Sequence, residues 1–233
     1  IDLGGGGQSS VKNPAYVVAK IKSRSFFEHI SSFPGIIEGV VAHNGFDEGT
    51  KELIYDETIY INKEDRWLRE PTNFRKAKPS SLEAHFFFLQ DLQISTDRKT
   101  GFIEITYNHS SPNFAQYMLE LIFQEVNNLQ KEEDYSQATK EINYLTDFRA
   151  NNKLVYIEKS ISGLLMQLLK DQMLANVKDE YLIQYIDKPY LAESRIYPKR
   201  TRFVLIVTFV SFALIIFFIT FHKFVYLSSK LES

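Results

Sequence analysis

Phe114-Ala-Gln-Tyr-Met-Leu-Glu-Leu-Ile-Phe-Gln-Glu-Val-Asn-Asn-Leu129 decides the fold, because its apolar residues recur at the spacing of one helix face. Phe114, Tyr117, Met118, Leu121, Ile122, Val126 and Leu129 form that stripe. The register resumes at Tyr135, Ala138, Ile142 and Leu145, then at Leu154, Ile157, Ile161, Leu164 and Leu168. From Asn113 to Lys188 the chain runs 76 residues with no proline and one glycine, Gly163. Steps of three and four sustained this long predict a coiled-coil-like helical hairpin, with its tip at Arg149-Ala-Asn-Asn152. A single helix from Pro112 to Phe148 would be about 55 Å long, more than one domain of this size spans. The stripes therefore need partner helices. Leu121, Val126, Leu145, Leu154, Ile161, Leu164 and Leu168 are the residues expected to pack, within the hairpin or between copies. Lys131-Glu-Glu-Asp134 reads as the solvated face.

Upstream, Asn13-Pro14 is a helix start, Asn as cap and Pro in the first turn. Tyr16, Val17, Ile21, Phe27 and Ile30 continue it until Phe33-Pro34-Gly35 ends it. Residues 36–78 read as irregular, with turns at Asn44-Gly45 and Glu48-Gly49 and a lone Trp67. Ser80 and Glu83 have the spacing of a capping box and open a second helix. Leu82, Phe86 and Leu89 give that helix more apolar surface than one face needs, which predicts burial between two layers. Leu92–Thr96 and Phe102–Tyr107, joined by a loop ending in Gly101, predict a β-hairpin with Ile103, Ile105 and Tyr107 on one side. A further strand is expected at Tyr181–Asp187. The fold class expected is α+β: a small mixed sheet base, a long helical extension over about residues 112–178, and a C-terminal transmembrane helix.

That last element rests on Phe203–Phe221, nineteen consecutive residues without a charge. As a helix it would span about 28 Å, close to the hydrocarbon thickness of a bilayer. Phe203, Leu205, Phe209, Phe212, Ile215, Phe218 and Phe221 would face lipid, and the hydroxyls of Thr208, Ser211 and Thr220 can bond back to the helix. Lys199, Arg200 and Arg202 flank one end, His222 and Lys223 the other, with Tyr197 and Tyr226 as interfacial aromatics. The alternative is a buried core helix, but those are seldom this long and apolar on every face. The basic residues are more numerous before the span than after it, which by itself would put residues 1–200 in the cytoplasm. The chain opens on Ile1 and a glycine run, Gly4–Gly7, which reads as a flexible connection, since no Gly-Lys-Ser/Thr follows. We expect the sequence to be a fragment of a longer protein.

Whole-chain averages hide this division. The 233 residues carry 27 Lys and Arg against 29 Asp and Glu, a net charge of −2 that gives no footing for general nucleic-acid binding. The mean hydropathy of −0.21 blends a polar domain with the apolar span. With no cysteine there is no disulfide, thiolate metal site or cysteine nucleophile. His29, His43, His85, His109 and His222 lack metal-ligand spacing, and no Gly-x-Ser-x-Gly elbow occurs. Asp47-Glu48 and Glu132-Glu133-Asp134 read as surface charge. No catalytic, cofactor-binding or metal-binding constellation is expected.

Several segments, in order, resemble the bacterial polysaccharide copolymerases, the family of the O-antigen chain-length determinants. They are Leu3-Gly4-Gly5-Gly6-Gly7 with Ala19–Phe26, Trp67-Leu-Arg69, Pro79–Ala84, Ser111–Ala115, Gln172–Tyr181 with Ile186-Asp187-x-Pro189, and Pro198-Lys199-Arg200. The resemblance implies two transmembrane helices, the first lying upstream of this sequence together with a first strand. It places residues 1–200 in the periplasm, residues 203–221 in the inner membrane and residues 222–233 in the cytoplasm as a short tail. That topology reverses the orientation suggested by local charge. It implies ring-shaped homo-oligomers that set the length of a surface polysaccharide made by a separate membrane-bound polymerase on lipid-linked repeats. It carries over no catalytic residue. A second branch serves capsule or exopolysaccharide export with a tyrosine kinase. Only 12 residues follow Phe221, too few to hold that kinase, so if the C-terminus is complete such a protein would work with a separate one. A membrane-anchored envelope enzyme is the third reading, and would need convergent carboxylates or histidines.

Overall fold

Asn13 caps the first helix as its sequence requires: its side-chain oxygen accepts from the Ala15 amide at 3.0 Å. The structure is a computed structural model describing residues 13–72, 75–151, 155–178, 180–191 and 200–231, with side chains at all of these but 155–157, 175, 200–203 and 220–231. The chain divides into two units, Ile1–Leu191 and Ala192–Ser233.

In the first unit, α1 (Pro14–Ile21) and α2 (Arg24–Ile30) replace the single helix expected from Pro14 to Phe33. The break is local chemistry. Ser23 turns extended and its hydroxyl accepts from the Phe26 amide, so a new helix starts there. The stretch expected to be irregular holds α3 (Ile36–Val41), β1 (His43–Phe46), β2 (Leu53–Tyr55), β3 (Tyr60–Ile61) and β4 (Arg66–Trp67). Then follow α4 (Ser81–Asp91), β5 (Leu92–Thr96) and β6 (Ile103–Tyr107). The strands pair antiparallel, β1 with β2, β3 with β4 and β5 with β6, so among the described residues the small sheets are two-stranded and not mixed.

The predicted hairpin at 92–107 is present, with Tyr107 buried, Ile103 and Ile105 against the core and Phe102 exposed. α4 departs from expectation. It buries Ala84, His85 and Phe88, while Leu82, Phe86 and Leu89 lie exposed, so it covers the core from one side and is not sandwiched. The core gathers Val17, Ile21, Phe26, Phe27, Ile30, Ile36, Val40, Phe88 and Leu92 against Met118, Leu121, Ile122 and Val126 of α5 (Pro112–Asn151).

α5 is 40 residues long, about 60 Å at helical rise, and packs against α6 (Val155–Val177). Its first half belongs to the core and the rest runs out as a helical hairpin. The expected strand at 181–187 is absent. Leu182 and Ile183 instead donate their amides to the Asn127 side chain, at 2.6 and 3.0 Å, which takes the place of a neighbouring strand. The second unit is α7 (Arg200–Leu231), longer than the predicted span at both ends, because no Gly or Pro follows Pro198 to stop it. Among the described residues, no helix is long and apolar enough to cross a membrane; the side chains described on α7 are those of 204–219.

Candidate functional site

The hairpin begins at a built joint. Ser111 is buried and its hydroxyl accepts from the Phe114 amide, closing the first turn of α5. Phe114 lies against Gly39 of α3 so closely that a Cβ there would fall 2.2 Å from the ring, which explains a glycine inside that helix. Further along α5, Gln130 is buried and accepts from the Tyr16 hydroxyl and the Lys20 ammonium, both at 2.9 Å, while Lys20 also pairs with Glu133. One polar hub thus fixes α1 to the long helix.

Asn127 is the second fixing point. It is 2 % exposed, and besides accepting from Leu182 and Ile183 it donates to the Ile183 and Phe123 carbonyls. Tyr185 stacks on Phe123 with ring centroids 3.4 Å apart, and Gln116 reaches the Pro189 carbonyl. The segment 180–191 therefore runs back along α5, towards its start. Burial pushes the Tyr185 hydroxyl up to about 12, with Glu120 and Glu180 adding to it, and burial with Asp134 does the same at Tyr181.

Above this joint α5 and α6 pack on each other. Ala138 and Ile161 are buried between them, and Gln172 donates to the Thr139 hydroxyl at 2.9 Å. Of the expected packing residues, Leu121, Val126 and Ile161 are buried, Leu145 and Leu168 are half-buried, and Leu164 is 51 % exposed. Leu154 lies outside the described residues. A second row emerges that the sequence reading missed: Met166, Leu169, Met173 and Val177 are exposed along α6, with Tyr144 and Phe148 exposed on α5. Their spacing of three and four was available in the sequence. It lies on nearly the opposite face of α6 from Ile161, Leu164 and Leu168, and only the position of α5 tells which stripe faces inward.

On α7, Leu205, Phe209, Phe212, Ile215 and Phe218, the residues expected to face lipid, are exposed, and so are Val204, Ile206, Val207, Val210, Leu214, Ile216, Phe217 and Ile219 around the whole circumference. Thr208 and Ser211 donate back to carbonyls four residues earlier, at 2.8 Å. Phe203 and Phe221 lie in the helix, but their side chains are outside the described set.

Charge chemistry elsewhere is structural in character. Arg69 is buried, holds both Glu83 oxygens, at 2.6 and 3.2 Å, and donates to the carbonyls of Lys76 and Ala77. These bonds and the nearby Arg75 hold the Glu83 carboxyl below its ordinary range. Among the described residues no group of three His, Asp or Glu is placed to hold a metal ion. No family model and no curated protein matches this sequence.

Proposed function

We propose that this chain is a non-enzymatic regulator of surface-polysaccharide chain length, of the O-antigen type, tethered in the bacterial inner membrane with its main domain in the periplasm. It would assemble as a ring of copies and act beside a separate membrane-bound polymerase and its lipid-linked polysaccharide. The observation that carries the reading is the hairpin of α5 and α6, which leaves an apolar row on α6 uncovered in the single chain. Rows of this kind on a helix imply a partner surface. The uniform apolar exposure of α7 supports the tether, since a helix hydrophobic all round belongs in a core or a membrane. The order of the family-like segments along the chain supports the polysaccharide role.

Deleting the gene tests it. The expected result is a changed length distribution of the lipopolysaccharide ladder on a gel, with polymerase activity retained. An unchanged ladder overturns the reading, and loss of a secreted capsule or exopolysaccharide with an intact ladder would transfer the protein to the export branch.

A further inference from the structure

Two histidines share one backbone carbonyl at the start of the hairpin. The Gly39 carbonyl of α3 accepts from His43 Nδ1 and from His109 Nε2, each at 3.0 Å, and the two ring centroids are 4.2 Å apart. The other nitrogen of His109, Nδ1, accepts from the Ser111 amide at 3.1 Å. Both hydrogen-bonding positions of His109 are thus used, one as donor and one as acceptor, and only the neutral ring can do this. Ser111 is the residue whose hydroxyl closes the first turn of α5. We propose that the His43–His109 pair is an acid-released latch joining α3 to the first turn of α5.

A proton added to His109 goes to Nδ1, where the Ser111 N–H already points. That bond must break, and Ser111 loses the contact that orients it as a cap. The new charge also sits beside the N-terminus of a forty-residue helix, whose dipole disfavours cations. It faces His43 on β1 as well, which further disfavours a charge on His109. Among the described residues no carboxylate pairs with His109, whose hydrogen bonds go to Gly39 and Ser111. Asp91 at the end of α4 acts on His43 and on the Tyr107 phenol, and Glu38 on α3 is engaged by Lys78 at 3.6 Å. Tyr107 and Phe114 supply the apolar walls.

Burial and the neighbouring His43 push His109 down to about 4 from an ordinary 6.5. The folded state then binds its proton later than the unfolded state. Stability from this site is complete above about pH 6.5 and is lost as pH falls towards 4, by about tenfold in the folding equilibrium per pH unit.

The test uses the full chain in detergent with isotope-labelled histidine. The His109 ring signal, identified by its loss in His109→Gln, should titrate more than one pH unit below an ordinary histidine. Exchange of the Phe114 and Ala115 amides, taken as a ratio to amides of β5 and β6, should rise about tenfold or more from pH 6.5 to 4.5. In His109→Gln, whose side chain also donates and accepts but does not titrate, that ratio should stay flat. An ordinary titration, a flat ratio in the wild type, or an equal rise in both proteins overturns the latch. If His109→Gln fails to fold, single His29→Gln, His43→Asn, His85→Gln and His222→Gln variants identify the other four ring signals and leave His109 by elimination, and the wild-type titration and exchange ratio decide.

Discussion

Asn127 shows how much one buried amide can organise. Its side chain accepts two amides and donates to two carbonyls, and three of these bonds hold the segment 180–191 against α5. Replacing it with Ala would leave the Leu182 and Ile183 amides without a partner in a buried place. Each such group costs about 1–3 kcal/mol, and water reaching the segment would recover part of it. We expect Asn127→Ala to lower unfolding stability by about 3 kcal/mol in urea, with faster proteolysis between 180 and 191. Wild-type stability would show that the segment is held by Tyr185 and its apolar neighbours alone. Local residue chemistry was legible where partners are close in sequence. The caps at Asn13 and Ser80 act as the sequence says, although Glu83 turns its carboxylate to Arg69 and Arg75 and does not complete the capping box. Asn127 was not legible, because its partners lie 55 residues downstream. Gly39 was silent for the same reason: its need for a bare Cα comes from Phe114.

At the scale of elements, length governs what could be read. The 3.6-residue period of α5 and α6 repeats often enough to stand out, and the hairpin of β5 and β6 is announced by two alternating runs around Gly101, which holds φ +75. β1 to β4 are two to four residues long, too short to show a period, and β1 contains a bulge at Asn44 that breaks its alternation. The strand expected at 181–187 has strand-like residues, but strand pairing is a property of neighbours and none is present among the described residues. Within the hairpin, the structure separates two roles that one apolar stripe had merged. Ile161 is 4 % exposed against α5, so Ile161→Asp should cost about 3 kcal/mol or more and melt the hairpin, seen as lost helicity by circular dichroism. Leu164 is half exposed in the single chain, so Leu164→Asp should leave the helicity and melting point within about 0.5 kcal/mol of wild type yet reduce the assembled species by native mass in detergent. Leu145 is half-buried, and Leu145→Asp should fall between them. If Leu164→Asp assembles as the wild type does, the copies do not meet at Leu164, which lies on a different face of α6 from Met166, Leu169 and Met173.

For the whole molecule, the two topological arguments disagree, and the absence of cysteine makes the disagreement measurable. Counting basic residues around the apolar span puts residues 1–200 in the cytoplasm, whereas the family resemblance puts them in the periplasm. The charge rule is weak here, because long domains cross membranes largely regardless of their flanking charge, and an upstream helix would dominate the orientation. A cysteine placed at Tyr144, which is 68 % exposed on α5, would be the sole thiol among these 233 residues and stands clear of the core. A second variant, Ser229→Cys, reports the tail beyond the span. In cells with a permeable outer membrane, a membrane-impermeant maleimide should label Tyr144→Cys fully and Ser229→Cys only after the inner membrane is opened. Both variants should stay in the membrane fraction after alkaline washing, whereas paired Phe212→Arg and Ile215→Arg changes, costing about 3 kcal/mol each at mid-bilayer, should release the chain or prevent its insertion. The reverse labelling pattern would place the domain in the cytoplasm, away from any periplasmic polymer, and the chain-length role would fall with it. Labelling of both sites without opening the inner membrane, with wild-type protein in the wash, would remove the tether itself.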